Sequence, residues 1–127
     1  MSYTIMCITG GDTMVNDQSL LDGLVLELRR GLLILSVLSQ LKNKEYGYSL
    51  IQKLQEKDFL IEAGTLYPLL RRLEKQRLLD STWDLVDNRQ RRYYQISKAG
   101  EELYQKLKVE YKVLNNTMME LLEGKNS

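Results

Sequence analysis

The 127-residue sequence contains no histidine, one cysteine (Cys7), one proline (Pro68), one tryptophan and one phenylalanine. Without imidazole there is no Ser-His or Cys-His nucleophile pair, the commonest general base is missing, and no His-containing zinc site can be built. A single thiol cannot close an internal disulfide, which fits a reducing compartment. No apolar run approaches the roughly 18 residues that a membrane span requires. The stretch before Met14 also lacks the basic-then-apolar order of a signal peptide. The expectation is a cytoplasmic protein with no membrane segment. No metal or cofactor is expected either, because one Cys and no His leave only oxygen ligands. The carboxylates are scattered and no nucleophile has a base near it in sequence, so catalysis is not expected.

Charge of one sign is also lacking overall: 18 Lys+Arg stand against 17 Asp+Glu, a net +1. The distribution is uneven. Residues 1–28 hold four acids and no base, and residues 99–127 hold four bases and five acids. Residues 29–98 hold 14 bases and 8 acids, a local +6, and include all eight arginines. Such a basic middle is the footprint of a surface that meets an anion such as nucleic acid, or else an ordinary solvated face.

Periodicity organises the chain into four helices and a hairpin. Ser19-Leu20-Leu21-Asp22 has the form of a capping box, and Leu24, Leu28, Leu32, Leu35 and Leu38 continue it at helical spacing, predicting a first helix over about 19–41. Gly31 is a place where that helix could kink or take a close neighbour. Residues 1–18 read as an N-terminal arm without fold weight. Lys42 to Gly47 is a polar break before a second helix of about ten residues. Thr65 is expected to cap a third helix bearing Leu66, Leu69, Leu70 and Leu73, with Pro68 as its third residue, where a missing N–H does little harm. Beyond Gln76, Leu78, Leu79, Trp83, Leu85 and Val86 suggest a strand, Asp87-Asn88 supplies the turn, and Arg91 to Ile96 alternates as a second strand. Ser97 caps a last helix to about Leu122, roughly 36 Å long.

Helix, helix, helix, hairpin, helix describes a mainly α fold: a winged helix-turn-helix over residues 19–98 followed by a long C-terminal helix over 99–127. In such a fold the third helix enters the major groove and the hairpin tracks phosphates or the minor groove. Thr65 and Tyr67 are then placed to read bases, and Arg71, Arg72 and Lys75 to neutralise phosphates. Arg89, Arg91 and Arg92 sit at the hairpin tip, where their mutual repulsion favours a nearby anion unless Asp84 and Asp87 pair with them. Lys44 and Tyr46 stand at the start of the second helix, where the DNA backbone is often met. Of the two tyrosines flanking Gly47, Tyr48 is expected in the core. Tyr104, Leu107, Tyr111, Leu114, Met118 and Leu121 form an a/d seam that calls for a second copy of the chain. Leu103, Val113, Met119 and Leu122 lie off that seam and could meet a first helix.

Gly64-Thr65-Leu66-Tyr67-Pro68-Leu69-Leu70-Arg71-Arg72-Leu73-Glu74 resembles the signature of PadR-family transcriptional regulators. Tyr46-Gly47-Tyr48 and Arg92-Tyr93-Tyr94-Gln95-Ile96-Ser97-Lys98-Ala99-Gly100 resemble two further motifs of that family, in the same order. The resemblance spans about residues 28–122 and implies a bacterial repressor of the short-tailed branch. It further implies a homodimer that binds double-stranded DNA at an inverted repeat and is released by a small aromatic or drug-like effector. Tyr46 stands where many relatives carry histidine. First-helix leucines with Tyr104, Tyr111, Met118 and Met119 could line an effector pocket, or could be plain dimer core. The competing expectation is a winged-helix protein-interaction module that does not bind DNA.

Overall fold

A computed structural model of the protein describes residues 17–124. The helices are α1 (Asp17–Arg30), α2 (Leu33–Ser39), α3 (Gly47–Glu56), α4 (Ala63–Lys75) and α5 (Lys98–Glu123), and the strands are β1 (Glu45–Tyr46), β2 (Leu79–Val86) and β3 (Arg89–Ile96). The fold is mainly α with a small antiparallel sheet, as the sequence predicts. The chain falls into two units that divide between Leu33 and Ile34.

The single helix expected over 19–41 is two helices, because the chain turns at Gly31-Leu32, where the Leu32 N–H bonds the Arg29 carbonyl at 2.9 Å. Gly31, the residue that could kink the pattern, is where it breaks. The expected capping box at Ser19 does not form, since α1 already begins at Asp17 and places Ser19 inside it. Residues 1–16 of the expected arm, including Cys7, lie outside the described residues. α1 buries none of its residues, and Leu20, Leu21, Leu24, Leu26 and Leu28 are all exposed.

The core of the second unit is built from leucines that the helices project inward. Val37 and Leu38 of α2, Leu41 after it, Leu50 and Leu54 of α3, and Leu66, Leu69, Leu70 and Leu73 of α4 are buried, with Leu79 and Tyr94 from the sheet. Both α3 and α4 end in Schellman motifs, in which two N–H groups past the helix fold back onto its last carbonyls. After α3, Asp58 N–H bonds Gln55 O and Phe59 N–H bonds Leu54 O, both at 2.9 Å. After α4, Arg77 N–H bonds Glu74 O and Leu78 N–H bonds Leu73 O, also at 2.9 Å. Each motif needs a left-handed residue, here Asp58 at φ 60° and Arg77 at φ 66° rather than glycine.

α4 begins at Ala63, two residues before the expected cap. Glu62 is its N-cap residue, Thr65 lies inside the first turn, and Pro68 is the sixth helical residue rather than the third. Its missing N–H would have met the carbonyl of Gly64, so the proline removes one real helical bond.

The sheet order is β1-β3-β2. The hairpin register pairs Val86 with Arg89, leaving a two-residue turn of Asp87 and Asn88 at φ 51° and 62°, the conformation that matches the twist of the flanking strands. The third strand, β1, was read in the sequence as part of a polar break. It pairs Glu45 with Tyr94 and Tyr46 with Tyr93. The far end of β3 is tied to the helices by Ile96 N–H to Leu41 O at 2.8 Å and Ser97 N–H to Leu78 O at 3.0 Å. α5 then starts from a true cap, the Ser97 hydroxyl accepting from the Gly100 N–H at 2.9 Å. Gly100 is buried, and an added Cβ would overlap the Leu78 carbonyl oxygen.

Candidate nucleic-acid interface

α4 sorts its side chains by face. The leucines at 66, 69, 70 and 73 turn inward, while Thr65, Arg71, Arg72 and Lys75 are exposed on the rest of its surface. Thr65 sits in the first turn, its own N–H bonded to the Glu62 carbonyl at 2.9 Å, at the positive end of the helix dipole, which favours an anion. Tyr67, expected as a reader, is half-buried. Its ring lies on Gly47, the first residue of α3, in the space that a Cβ at Gly47 would fill. The absence of a side chain at Gly47 lets the tyrosine seat the two helices of the helix-turn-helix against each other.

Strand alternation divides the hairpin. One face carries Leu79, Ser81, Trp83 and Leu85 opposite Ile96, Tyr94, Arg92 and Gln90. The other carries Asp80, Thr82, Asp84 and Val86 opposite Gln95, Tyr93, Arg91 and Arg89. Of the three arginines expected together at the tip, Arg92 is therefore parted from Arg89 and Arg91, which share the second face. Arg89, next to the turn, is exposed.

Arg91 lies on the second face with its guanidinium 4.9 Å from the centre of the Tyr46 ring, and its Nε is buried with no hydrogen-bond partner. Tyr46 in turn meets Tyr93 edge-on at 5.4 Å. Lys44 lies 5.2 Å from the centre of the Tyr93 ring and bonds Asp84 at 2.8 Å. That hydrogen bond, reinforced by the carboxylate's charge, holds the Lys44 ammonium above its usual pKa. Asp84 thus pairs with Lys44, forty residues away, and not with a neighbouring arginine as the alternative reading of the tip had it.

Tyr46 and Tyr48 exchange the roles expected for them: Tyr46 is half-buried on Tyr93, and Tyr48 is 58% exposed. Beside them Glu45 accepts from Ser49 Oγ at 2.7 Å and from Lys53 Nζ. Burial pushes the Glu45 carboxyl up, but these two hydrogen bonds and the Lys53 charge outweigh it and hold the group below its ordinary pKa.

Arg92 faces α4. Its Nη2 donates to the two Glu74 carboxylate oxygens at 2.7 and 2.9 Å and to Ser81 Oγ at 3.2 Å, and its Nε also donates to Ser81 at 3.2 Å. The Ser81 hydroxyl closes the ring by donating to Glu74. The guanidinium lies 5.5 Å from the Trp83 ring centre and 5.6 Å from that of Tyr94. Nothing in the local sequence announced this network, because its members come from α4, β2 and β3.

The seam on α5 is divided as well. Tyr104 is buried on the body of the second unit, whereas Leu107, Tyr111, Leu114, Met118 and Leu121 are exposed. Leu103, Val113, Met119 and Leu122, off the seam, are exposed too. An open hollow at the start of α5 is lined by Lys42, Ile96, Ser97, Lys98, Glu101 and Glu102, with no aromatic side chain among them. Among the described residues no cluster of three or more His, Cys, Asp or Glu could hold a metal ion, and no helix is long and apolar enough to cross a membrane.

Comparison with known proteins agrees with this geometry. Residues 34–106 match the Transcriptional regulator PadR-like family. The crystal structure of a PadR family transcriptional regulator from Eggerthella lenta DSM 2243 is 42% identical, with a TM-score of 0.80 over 86% of this chain and 96% of that one. A PadR-like transcriptional regulator from Bacillus cereus strain ATCC 14579 is 29% identical, with a TM-score of 0.69 over 78% and 99% of the two chains. The transcriptional regulator Rv3488 of Mycobacterium tuberculosis is 43% identical over 58 residues, which are 46% of this chain and about half (54%) of that protein. These relatives are regulators, not enzymes.

Proposed function

Because the chain belongs to the PadR-like family of transcriptional regulators, we propose that it is a cytoplasmic, dimeric DNA-binding repressor that engages an inverted repeat. The observation that carries this reading is the outward face of α4. Thr65, Arg71, Arg72 and Lys75 are exposed opposite a fully buried leucine stripe, on a helix seated by Tyr67 against α3 and flanked by a hairpin that presents Arg89. Thr65 is suited to base edges and the cations to phosphates. Lys44, Tyr46 and Arg91 add a second cationic and aromatic patch, of which Arg91 has the least neutralised charge, since Lys44 is held by Asp84.

The exposed seam on α5 supports the dimeric part of this reading. A helix of 26 residues with leucines and methionines left in solvent favours a second copy of itself, which would also bring two α4 helices to two half-sites. Effector release, the family's habit, would use the same seam, where Tyr111 and Met118 offer the flat, polarisable surface that a small aromatic ligand needs.

The test is fluorescence anisotropy with a labelled duplex from the region upstream of the protein's own gene, titrated at several salt concentrations. Binding that weakens steeply as salt rises is expected, because each neutralised phosphate releases counterions. Absence of binding at low salt to any upstream fragment, together with capture of one stoichiometric protein partner, would favour the interaction-module reading.

A further inference from the structure

Along the face of the hairpin that looks toward α4, the cross-strand pairs run outward from Leu79-Ile96 through Ser81-Tyr94 and Trp83-Arg92 to Leu85-Gln90. Leu79 and Tyr94 are buried, whereas Trp83 is 59% and Leu85 68% exposed. Packing therefore ends at the second pair. A two-stranded ribbon without packing is soft, so the angle of the outer half would drift unless something fixes it. The Arg92–Glu74–Ser81 network lies at this boundary. Glu74 is in the last turn of α4, between the buried Leu73 and Lys75, with Arg71 three residues back on the same side of the helix. Arg92 reaches it from the third pair and is gripped on its flank by Ser81 and between the Trp83 and Tyr94 rings. Its Nε and Nη2 are taken up by a carboxylate and a hydroxyl and its plane by two rings, which leaves Nη1 as the part that could still meet a phosphate.

We propose that Glu74 and Arg92 are positioning residues that lock the outer hairpin to α4, so that helix and hairpin meet a duplex in one fixed register and sequence discrimination depends on the pair. This rests on the DNA-binding reading above and assigns Arg92 a different role from the direct contact expected of it. Specificity needs contacts held to within a fraction of an ångström by a supporting shell. Non-specific attraction needs only charge.

The sign of one substitution separates the two roles. Glu74→Gln removes a negative charge beside the cations of α4, so charge alone makes every duplex bind more tightly. Loss of positioning makes the preferred duplex bind more weakly. The experiment compares wild type, Glu74→Gln and Arg92→Lys on a duplex selected by the wild-type protein from a random-sequence pool and on a shuffled duplex of equal length. Each is read across a salt series, with a thermal melt as folding control. For Glu74→Gln we expect affinity for the selected duplex to fall on the order of tenfold, the scale of one lost charged hydrogen bond. Affinity for the shuffled duplex should hold or rise. Arg92→Lys keeps the charge but loses the planar fork, so it should lower the selected-to-shuffled ratio without changing the salt slope, and it serves as the test should Glu74→Gln fold poorly.

If Glu74→Gln binds both duplexes as well as or better than wild type, the proposal is overturned while DNA binding stands. The same holds if Arg92→Lys is neutral and Arg92→Gln lowers the salt slope by about one contact, since Arg92 would then be an ordinary phosphate ligand. Failure of the wild type to select any duplex overturns the DNA-binding reading itself.

Discussion

Helices α4 and α5 both carry apolar residues at steps of three and four, yet α4 covers its whole leucine stripe while α5 covers only Gly100 and Tyr104. The difference lies in what the chain itself supplies to cover each stripe, not in the pattern. α4 finds α3 and the sheet within its own chain. α5 runs on from its cap for 26 residues, about 39 Å at 1.5 Å per residue, and outreaches the elements that could cover it. Hydrophobic periodicity reports that a face will be buried and is silent on which molecule buries it.

The comparison breaks most sharply inside α4. Leu70→Ala, at a position with no exposure, should cost about 2–5 kcal/mol in urea unfolding, at every protein concentration. Next, Gly100→Ala should strike the point where α5 is anchored, since the new methyl would press on the Leu78 backbone carbonyl, which cannot swing aside as a side chain can. A loss of about 1–3 kcal/mol is expected from the melting midpoint. Leu114→Ala, at a position 62% exposed, should leave the fold of a single chain within about 0.5 kcal/mol. It should also shift the monomer–dimer balance in sedimentation equilibrium, so that any loss of thermal stability depends on concentration. An unchanged association constant would show that the seam is not the contact.

A smaller effect sharpens the α4 side. Burial pushes the Tyr94 hydroxyl above its ordinary pKa, against the opposing pull of Arg92. A folded-state pKa that is raised leaves its contribution intact below the tyrosine's ordinary pKa and removes it as pH rises through the folded value. Stability should therefore decline on alkaline titration from about pH 10 upward, and Tyr94→Phe should flatten that decline. Smallest of all, Arg77→Gly should gain up to about 1 kcal/mol by relieving the left-handed residue that ends α4.

What was legible in the sequence is what short-range pattern encodes. The hairpin followed from alternation and from Asp87-Asn88, the short second helix from its leucines, and the last helix from Ser97 to its end. The two-residue strand Glu45-Tyr46 has no period to read and exists only because β3 lies beside it. The start of α4 was misplaced because a threonine before leucines looks like a cap, although the helix had already begun at Ala63. Tyr46 and Tyr48 are chemically alike, and only the position of Tyr93, 47 residues further on, decides which of them is covered. Charges were matched with their nearest neighbours in sequence, whereas Lys44 and Asp84 are 40 apart and Glu74 and Arg92 are 18 apart. Arginine counting marks a cationic stretch and cannot tell which arginine is tied into the fold.

The turn of Asp87 and Asn88 has a bearing on that last point. Two residues, both left-handed, fix how β3 counts back against β2. Because side chains on a strand alternate strictly, a slip of one residue would exchange the two faces, turning Arg91 toward α4 and Arg92 toward Tyr46. The pair at the tip of the hairpin thus acts as a parity setting for the arginines that follow it. Together Asp87 and Asn88 decide which guanidinium Glu74 and Tyr46 each receive.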